Sequence, residues 1–222
     1  MSKDSDAFLL VSELFSSIQG ESTFAGCPCF FIRLSGCNLD CRFCDTHHAQ
    51  NSSTGKRQSV PELVKAAKEA ALPLVEITGG EPLLQNATPE LCSALIAAKF
   101  TVLVETNGSI PAGNLPDETI RIFDFKTPSS GESEKMCLDN FRTLRSHDQV
   151  KFVLASRGDY EQAIETIRRF KIDKQTPNVL FSPVWGELEP ELLAEWILKD
   201  KVSARLQIQL HKIIWGPLAQ GV

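Results

Sequence analysis

Short runs of apolar and β-branched residues alternate with amphipathic stretches along most of the chain. The runs predict seven β-strands, over residues 29–34, 73–78, 101–106, 120–125, 150–155, 179–184 and 205–210. Apolar positions with helical spacing predict four helices, over residues 60–71, 89–98, 160–170 and 190–199. Strands that alternate with helices are typical of parallel sheets with crossover helices. The pattern therefore predicts an α/β fold.

The connections between the strands are not all helical. Ser59 and Glu62 form the pattern of a capping box and predict the start of the first helix. The helical signal is weak between Thr106 and Val150, with Pro, Gly and Ser frequent at 108–116 and 127–133. We therefore predict a partial, TIM-like barrel with fewer helices than strands.

The composition is that of one ordinary globular domain. The chain has 222 residues, of which 42% are apolar and 23% are charged. We therefore predict a single domain over residues 1–222. A formal net charge of −5 and a pI near 5.5 argue against a nucleic-acid partner, because binding to phosphates relies on clustered Lys and Arg.

The N-terminal region carries no targeting or membrane signal. Ser12 and Glu13 interrupt its apolar run, and no small-residue cleavage pattern follows. We therefore predict a cytoplasmic protein that has no membrane partner. In the reducing cytoplasm, the seven cysteines are expected to be metal ligands or buried thiols rather than disulfides.

Unusual polar segments follow several of the predicted strands. They are the cysteine-rich segment after residue 34, TGGEP at 78–82, ETNGS at 105–109, DFKTP at 124–128 and QLHK at 209–212. In a parallel α/β barrel, the carboxyl ends of the strands form the face that carries the active site. We therefore expect these segments to meet at one mouth of the barrel.

Three cysteines lie within eight positions of one loop: Cys37, Cys41 and Cys44. Thiolates bind soft or borderline metals, and this spacing lets one loop wrap a single centre. In one interpretation His47 or His48 supplies a fourth ligand, and the loop is a structural Cys3His zinc site. In the other, the thiolates hold three irons of a 4Fe-4S cluster, and the fourth iron is open to a small molecule.

Gly79 and Gly80 end the strand over 73–78. Without side chains, they let a ligand or another backbone segment approach closely. A tight turn is the alternative for a Gly-Gly pair taken alone. Because the pair follows the cysteine loop by one strand, we favour a ligand contact.

Arg33 is a charged residue in an otherwise apolar strand, so its guanidinium must be paired. A salt bridge with Glu13 or Glu76 is one interpretation. Alternation places Arg33 on the same face as Phe31 and Ser35. If that face lines the mouth of the barrel, Arg33 can form a bidentate pair with a substrate carboxylate.

The cysteine loop resembles that of the radical S-adenosylmethionine superfamily, and TGGEP resembles the glycine-rich strand end of the same proteins. Within that superfamily, nearly the whole chain is similar to the 7-carboxy-7-deazaguanine synthase family. The segments that carry the similarity are ELFSSIQGES (13–22), FFIRLSGCNLDCRFCDT (30–46), EITGGEPLLQ (76–85), VETNGS (104–109), DFKTPSSGE (124–132) and QLHKIIW (209–215).

The resemblance implies three cofactors and a pterin substrate. Cys37, Cys41 and Cys44 would hold a 4Fe-4S cluster, and Thr46 would bind Mg2+. The residues implied to contact S-adenosylmethionine are Phe43, Asp45, Gly79, Gly80, Asp124, Lys126 and Ser182. The residues implied to contact the substrate are Ile18, Gln19, Gly20, Glu21, Arg33, Thr78, His211 and Pro217. An exposed ion pair is the alternative explanation for Asp124 and Lys126.

The implied reaction is the radical ring contraction of 6-carboxy-5,6,7,8-tetrahydropterin to 7-carboxy-7-deazaguanine with loss of ammonia, in the synthesis of queuosine and other 7-deazapurines. A 5'-deoxyadenosyl radical would start this reaction, and no side chain would act as a catalytic acid or base. An electron donor such as flavodoxin or ferredoxin is implied, as is a homodimer. The alternatives are an activating enzyme for a glycyl-radical partner and a non-enzymatic zinc or iron-sulfur module.

Two features depart from the family pattern. Cys27 and Cys29 lie beside the strand that precedes the cysteine loop, and we expect both to be buried, inert thiols. The sequence also continues with LAQGV after Pro217. A contact made by a terminal carboxylate at Pro217 is therefore not expected here.

Overall fold

A single, largely parallel β-sheet organises the protein. The computed structural model describes residues 7–219 and Gly221. Within these residues the sheet has nine strands: β1 Phe8–Ile18, β2 Pro28–Leu34, β3 Lys56–Ser59, β4 Leu74–Gly79, β5 Thr101–Thr106, β6 Ile120–Phe125, β7 Gln149–Leu154, β8 Val179–Pro183 and β9 Arg205–Leu206. Their order is β3-β1-β2-β4-β5-β6-β7-β8-β9. Neighbouring strands are parallel from β2 to β9, whereas β1 is antiparallel to β2 and β3.

Helices connect only some of the parallel strands. The helices of the described residues are α1 Val60–Ala70, α2 Thr88–Ala97, α3 Arg157–Phe170, α4 Ile172–Gln175, α5 Pro190–Asp200 and α6 Leu210–Trp215. Short 3-10 turns, rather than α-helices, lie between β6 and β7. The predicted α/β fold, with fewer helices than strands, is confirmed. No helix among residues 7–219 is long and apolar enough to cross a membrane.

The predicted start of α1 is confirmed in atomic detail. The backbone N–H of Ser59 donates to Glu62 Oε2 over 2.7 Å, and the Glu62 N–H donates to Ser59 Oγ over 3.4 Å. This reciprocal pair satisfies donors that the first turn of a helix leaves free. The helix therefore begins where the chain leaves β3.

The inward face of the sheet changes character along the strands. Its first layer is an apolar cluster formed by Cys29, Phe31, Leu74, Leu103 and Ile122. Alternating side chains point to opposite faces of a strand, so the next inward position lies two residues further along. On four strands that position is charged, with Arg33, Glu76, Glu105 and Asp124. An apolar floor therefore lies beneath a layer of charged side chains.

β1, β3, α4 and α6 were not predicted, and one predicted strand ends early. The sequence did not predict β1, because Ser12 and Glu13 interrupt its apolar pattern; the structure has a β-bulge between Val11 and Glu13, which shifts the register at that point. The strand predicted over 205–210 is wrong beyond Leu206. There the chain leaves the sheet, because the backbone N–H of Leu210 donates to Gly20 O and starts α6.

Candidate active site

The carboxyl ends of the parallel strands open into one cavity of about 250 Å³. Of the residues that the sequence predicts to hold cofactors or substrate, all line this cavity except Ser182. Ser182 lies in β8 with 1% of its surface exposed and does not reach the cavity wall. The predicted convergence of distant segments at one mouth is therefore observed, while the individual roles of the residues remain predictions.

The cysteine loop is closed by backbone hydrogen bonds near its ends. The Gly36 N–H donates to Ala49 O over 2.8 Å, and the Cys37 N–H donates to Gln50 O over 3.1 Å. Burial raises the pKa of the Cys41 thiol to about 11, and it also raises the pKa of Cys44. Binding of a metal centre must therefore displace protons from thiols that are neutral in its absence.

The two histidines next to this loop contact other side chains. His47 Nδ1 lies 3.3 Å from Gln50 Oε1, and His48 Nε2 lies 3.1 Å from Glu13 Oε1. Both imidazoles are thus engaged away from the thiols. This arrangement does not support a closed Cys3His zinc site, and it leaves the three thiols as a ligand set suited to three irons.

Gly79 and Gly80 place the end of β4 directly against the cysteine loop. Gly79 has a φ of +136°, a conformation that residues with a Cβ rarely adopt. A Cβ on Gly80 would lie 2.2 Å from the carbonyl oxygen of Gly36. The Glu81 N–H donates to that same oxygen over 2.8 Å. The glycine pair is therefore required by close backbone packing, beside any contact with a ligand.

Replacing Gly80 by alanine is expected to lower the free energy of unfolding by about 3 kcal/mol, because the new methyl group would overlap backbone atoms of Gly36. The melting temperature should then fall by roughly 6–12 °C. Thermal unfolding followed by circular dichroism measures this. Gly113→Ala is the matched control, because no heavy atom lies within 4 Å of its added Cβ. Equal melting temperatures for the two variants would contradict the prediction.

Glu81 joins two of the polar segments. Its buried carboxylate accepts hydrogen bonds from Thr106 Oγ1 over 2.8 Å and from the backbone N–H of Asn107 over 2.7 Å. The Asn107 side chain in turn lies 3.8 Å from Cys37 Sγ. Hydrogen bonds to sulfur ligands tune the potential of iron-sulfur clusters. The ETNGS segment thus contributes to the surroundings of the thiols, a role that the sequence did not predict.

Arg33 forms the predicted salt bridge with Glu13 and also lines the cavity. Its Nε lies 3.0 Å from Glu13 Oε2, and its guanidinium carbon lies 5.4 Å from the centre of the Phe15 ring. Among the described residues, its two terminal NH2 groups have no hydrogen-bond partner, and the side chain lines the cavity. The salt bridge with Glu13 therefore leaves the planar end of Arg33 available to a carboxylate in the cavity.

Glu76 has a different partner from the one considered in the sequence. Its carboxyl group accepts a hydrogen bond from the side-chain amide of Gln19. Burial raises the pKa of Glu76 well above its usual value, and the nearby Glu105 carboxylate raises it further. Glu76 therefore takes up a proton more readily than an ordinary carboxyl group, and it holds the amide of Gln19 in place at the cavity wall.

Asp124 and Lys126 form an ion pair of 3.0 Å, but the pair is largely buried, with 13% and 14% of the side chains exposed. The alternative of an exposed ion pair is therefore wrong. Within residues 7–219, Asp124 Oδ1 has no hydrogen-bond donor, although it is buried and belongs to the cavity wall. Buried carboxylate oxygens are normally paired. An unpaired acceptor at this position fits a ligand that carries hydroxyl groups, such as a ribose.

The C-terminal segment covers one side of the cavity. Gln209 Nε2 donates to Glu21 Oε1 over 2.6 Å, and Lys212 Nζ lies 2.8 Å from Asp45 Oδ2. A Cβ on Gly20 would lie 2.2 Å from His211 Nδ1, so glycine is required where the helix α6 meets the loop after β1. Burial lowers the pKa of His211, which keeps its imidazole neutral at physiological pH.

Thr46 and Pro217 line the cavity, whereas Cys27 and Cys29 differ in exposure. Thr46 lines the cavity, and its hydroxyl donates to Asp45 Oδ1 over 3.1 Å. Cys29 is buried as expected, but Cys27 is exposed, so the prediction of two buried thiols is wrong for Cys27. Pro217 lies at the cavity wall. Two residues of the extension after Pro217, at positions 220 and 222, lie outside the described residues.

The comparisons with known proteins agree with this geometry. Residues 31–124 match the Radical SAM superfamily. The crystal structure of QueE from Escherichia coli superposes with a TM-score of 0.77, covering 92% of this chain and 95% of that one, at 22% identity. The cysteine site thus resembles that of the radical S-adenosylmethionine superfamily, and the superposition shows a shared fold.

Two curated relatives show the family to which the chain belongs. The 7-carboxy-7-deazaguanine synthase of Chlorobaculum tepidum is 45% identical over 98% of this chain and 99% of its own length. That of Koribacter versatilis is 38% identical over 96% of this chain and 99% of its own length. The chain therefore belongs to the 7-carboxy-7-deazaguanine synthase family.

Proposed function

We propose that the protein converts 6-carboxy-5,6,7,8-tetrahydropterin into 7-carboxy-7-deazaguanine, with loss of ammonia, in the synthesis of queuosine or another 7-deazapurine. The observation that carries the proposal is the convergence of the cysteine loop, the glycine pair and Arg33 on one cavity. Identity of 45% over nearly the whole chain to a relative of that name supports it. The side chains of Asp124, Lys126 and Lys151 in its wall are only 13%, 14% and 5% exposed, and such low exposure to water suits a reaction with a radical.

The residues present fit the cofactors of the superfamily. Cys37, Cys41 and Cys44 would hold three irons of a 4Fe-4S cluster, and Asp124 would accept hydrogen bonds from S-adenosylmethionine. When bound, the cluster and S-adenosylmethionine would supply the radical chemistry that the ring contraction needs. The side chains of the protein then have to bind, orient and enclose the reactants.

The other cavity residues are assigned to the pterin and to the cofactor. Arg33 would pair with the substrate carboxylate, and the amide of Gln19 would face the edge of the pterin ring. The remaining assignments to the substrate are Ile18, Gly20, Glu21, Thr78, His211 and Pro217. Those to S-adenosylmethionine are Phe43, Asp45, Gly79, Gly80 and Lys126, together with Ser182, whose buried hydroxyl has no hydrogen-bond partner among the described residues.

Magnesium completes the proposal. The hydroxyl of Thr46 would be one oxygen ligand, with substrate oxygens and water as the others, which suits the preference of Mg2+ for few protein ligands. Thr46→Ala is expected to raise the Mg2+ concentration needed for half-maximal activity by about tenfold. Titrating Mg2+ in the product assay measures this. Thr54→Ala, a change of an exposed threonine, is the control. An unaltered Mg2+ response in the Thr46 variant would refute the assignment.

The proposal extends to partners and place of action. It includes a one-electron donor of the flavodoxin or ferredoxin type, a homodimer and a cytoplasmic location, and it treats residues 1–222 as one domain. Resemblance to the family supports the donor and the homodimer, and the sequence pattern supports the rest.

The decisive experiment is an anaerobic assay of the reconstituted protein. It contains reductant, S-adenosylmethionine, Mg2+ and carboxytetrahydropterin, and mass spectrometry follows 7-carboxy-7-deazaguanine. Product formed without stoichiometric consumption of S-adenosylmethionine would support the proposal. Cleavage of S-adenosylmethionine without any 7-carboxy-7-deazaguanine would instead favour another radical reaction, such as activation of a glycyl-radical partner. An iron-loaded protein that does not cleave S-adenosylmethionine would favour an iron-sulfur carrier.

A further inference from the structure

Lys151 lies in the middle of β7, and only 5% of its side chain is exposed. Its Nζ lies 2.6 Å from Glu21 Oε2 and 3.4 Å from Asp124 Oδ2, and it also contacts Glu105 Oε1. An ammonium group has three N–H donors, so these three carboxylates can use all of them. The carboxylates come from three separate segments: the loop after β1, the end of β5 and β6.

The desolvation of this cluster opposes folding, so its burial is not explained by stability alone. Removing an ammonium and three carboxylates from water costs several kcal/mol per ion, and apolar residues of similar size often stabilise a protein as well or better. Although burial alone would lower the pKa of Lys151, the Asp124, Glu105 and Glu21 carboxylates hold it well above its usual value. The lysine therefore stays charged, and its three contacts persist at physiological pH.

The position of the cluster separates it from an ordinary buried salt bridge. Arg121 and Asp148 form such a bridge, with 4% and 0% of their side chains exposed, and neither residue lines the cavity. Lys151 and its three carboxylates all line it. Glu21 follows Gln19 and Gly20, which face the proposed substrate, whereas Asp124 faces the proposed cofactor. Lys151 therefore links the two sides directly.

We propose that Lys151 is a positioning residue that holds the substrate side and the cofactor side of the cavity at a fixed separation. The inference rests on the proposed function. Transfer of a hydrogen atom requires the reacting atoms to lie about 3–3.5 Å apart, and a misplacement of about 1 Å can cost roughly 100-fold in rate. Lys151 acts through Glu21 and Asp124 and does not itself need to touch either ligand.

Lys151→Met tests this role, because methionine approximates the length of the lysine stem and removes the charge. Product formation is expected to fall about 100-fold. Cleavage of S-adenosylmethionine should continue, so that 5'-deoxyadenosine accumulates and the ratio of product to 5'-deoxyadenosine falls. Lys151→Arg keeps the charge but replaces the compact ammonium by a larger, planar guanidinium. It should give an intermediate ratio of product to 5'-deoxyadenosine. Calorimetry without reductant should show substrate binding weakened by about tenfold in the Met variant.

Arg121→Met is the matched control, because it breaks a buried ion pair outside the cavity. It should lower thermal stability and leave the ratio of product to 5'-deoxyadenosine unchanged. A purely structural Lys151 would make the two Met variants behave alike, and that result would overturn the inference. If Lys151→Met does not fold, a folded Lys151→Arg with the wild-type ratio and wild-type substrate affinity overturns it equally.

The experiment also separates this inference from the proposed function. A wild-type protein that makes no 7-carboxy-7-deazaguanine refutes the function. A wild-type protein that makes the product, together with a folded Lys151→Met variant that keeps the wild-type ratio, refutes only the role of Lys151.

Discussion

Replacing Cys41 by alanine is expected to reduce the formation of 7-carboxy-7-deazaguanine to the detection limit. The three thiols of the loop line one cavity, and with one of them lost, an iron of the proposed cluster has no protein ligand. The iron content and the absorption near 400 nm of the reconstituted protein should fall with the activity. Iron analysis, the visible spectrum and the product assay on the same sample measure this together.

Cys92→Ala is the matched control for the cysteine variant. Cys92 is fully buried in α2, outside the cavity, so its loss should cost some stability but no iron. Full iron content and full activity in the Cys41 variant would contradict the prediction. Loss of iron in both variants would show that the assay reports unfolding rather than ligation.

Replacing Arg33 by alanine is expected to raise the KM for carboxytetrahydropterin about 30- to 100-fold. The reason is the loss of charge-assisted hydrogen bonds to the substrate carboxylate, which contribute about 2–3 kcal/mol. Glu13 keeps a second neighbour, because His48 Nε2 lies 3.1 Å from its other oxygen. The variant should therefore fold and bind the cluster. Steady-state kinetics with varied substrate measure the change.

Two further variants distinguish the geometry of Arg33 from its charge. Arg33→Lys keeps the charge but not the planar fork, and it should recover only part of the affinity. Arg57→Ala removes an exposed arginine, whose guanidinium lies over the Phe8 ring outside the cavity, and it should leave KM unchanged. An unchanged KM and turnover in Arg33→Ala would remove Arg33 from the substrate site.

The parallel part of the fold was predictable because its strands are buried on both faces, by the helices on the outside and by the apolar cluster on the inside. Burial of this kind gives the apolar runs that the sequence shows, as in β4 and β5. By contrast, β1 alternates irregularly around its bulge, so local pattern was insufficient. The end of the predicted strand over 205–210 depends on a tertiary contact, the hydrogen bond from Leu210 to Gly20, which no local pattern encodes.

The part of the candidate site that lies in a sequence motif was predictable. Isolated charged residues within the strands were much harder to predict. Cys37, Cys41 and Cys44 follow from their spacing alone. Lys151 was missed and Glu105 was predicted only as part of the ETNGS segment, although each is a charged residue at an inward position of an apolar strand, the same signal that singled out Arg33. Their partners come from other strands. Sequence alternation gives the face of each residue, but the pairing across the sheet needs the three-dimensional fold.

The hydrogen bonds between the loop after β1 and the C-terminal segment affect the order in which the protein folds during synthesis. Gln207 and Gln209 form side-chain hydrogen bonds with Glu21 and Ser22. These partners are separated by 185 to 188 positions along the chain. At 5–20 residues per second, a ribosome needs about 10–40 s to produce the intervening chain. The cysteine loop and its glycine neighbours emerge well before that time has passed. The part of the sheet that carries the cysteine loop can thus form on the ribosome before the C-terminal segment that covers the cavity has been made.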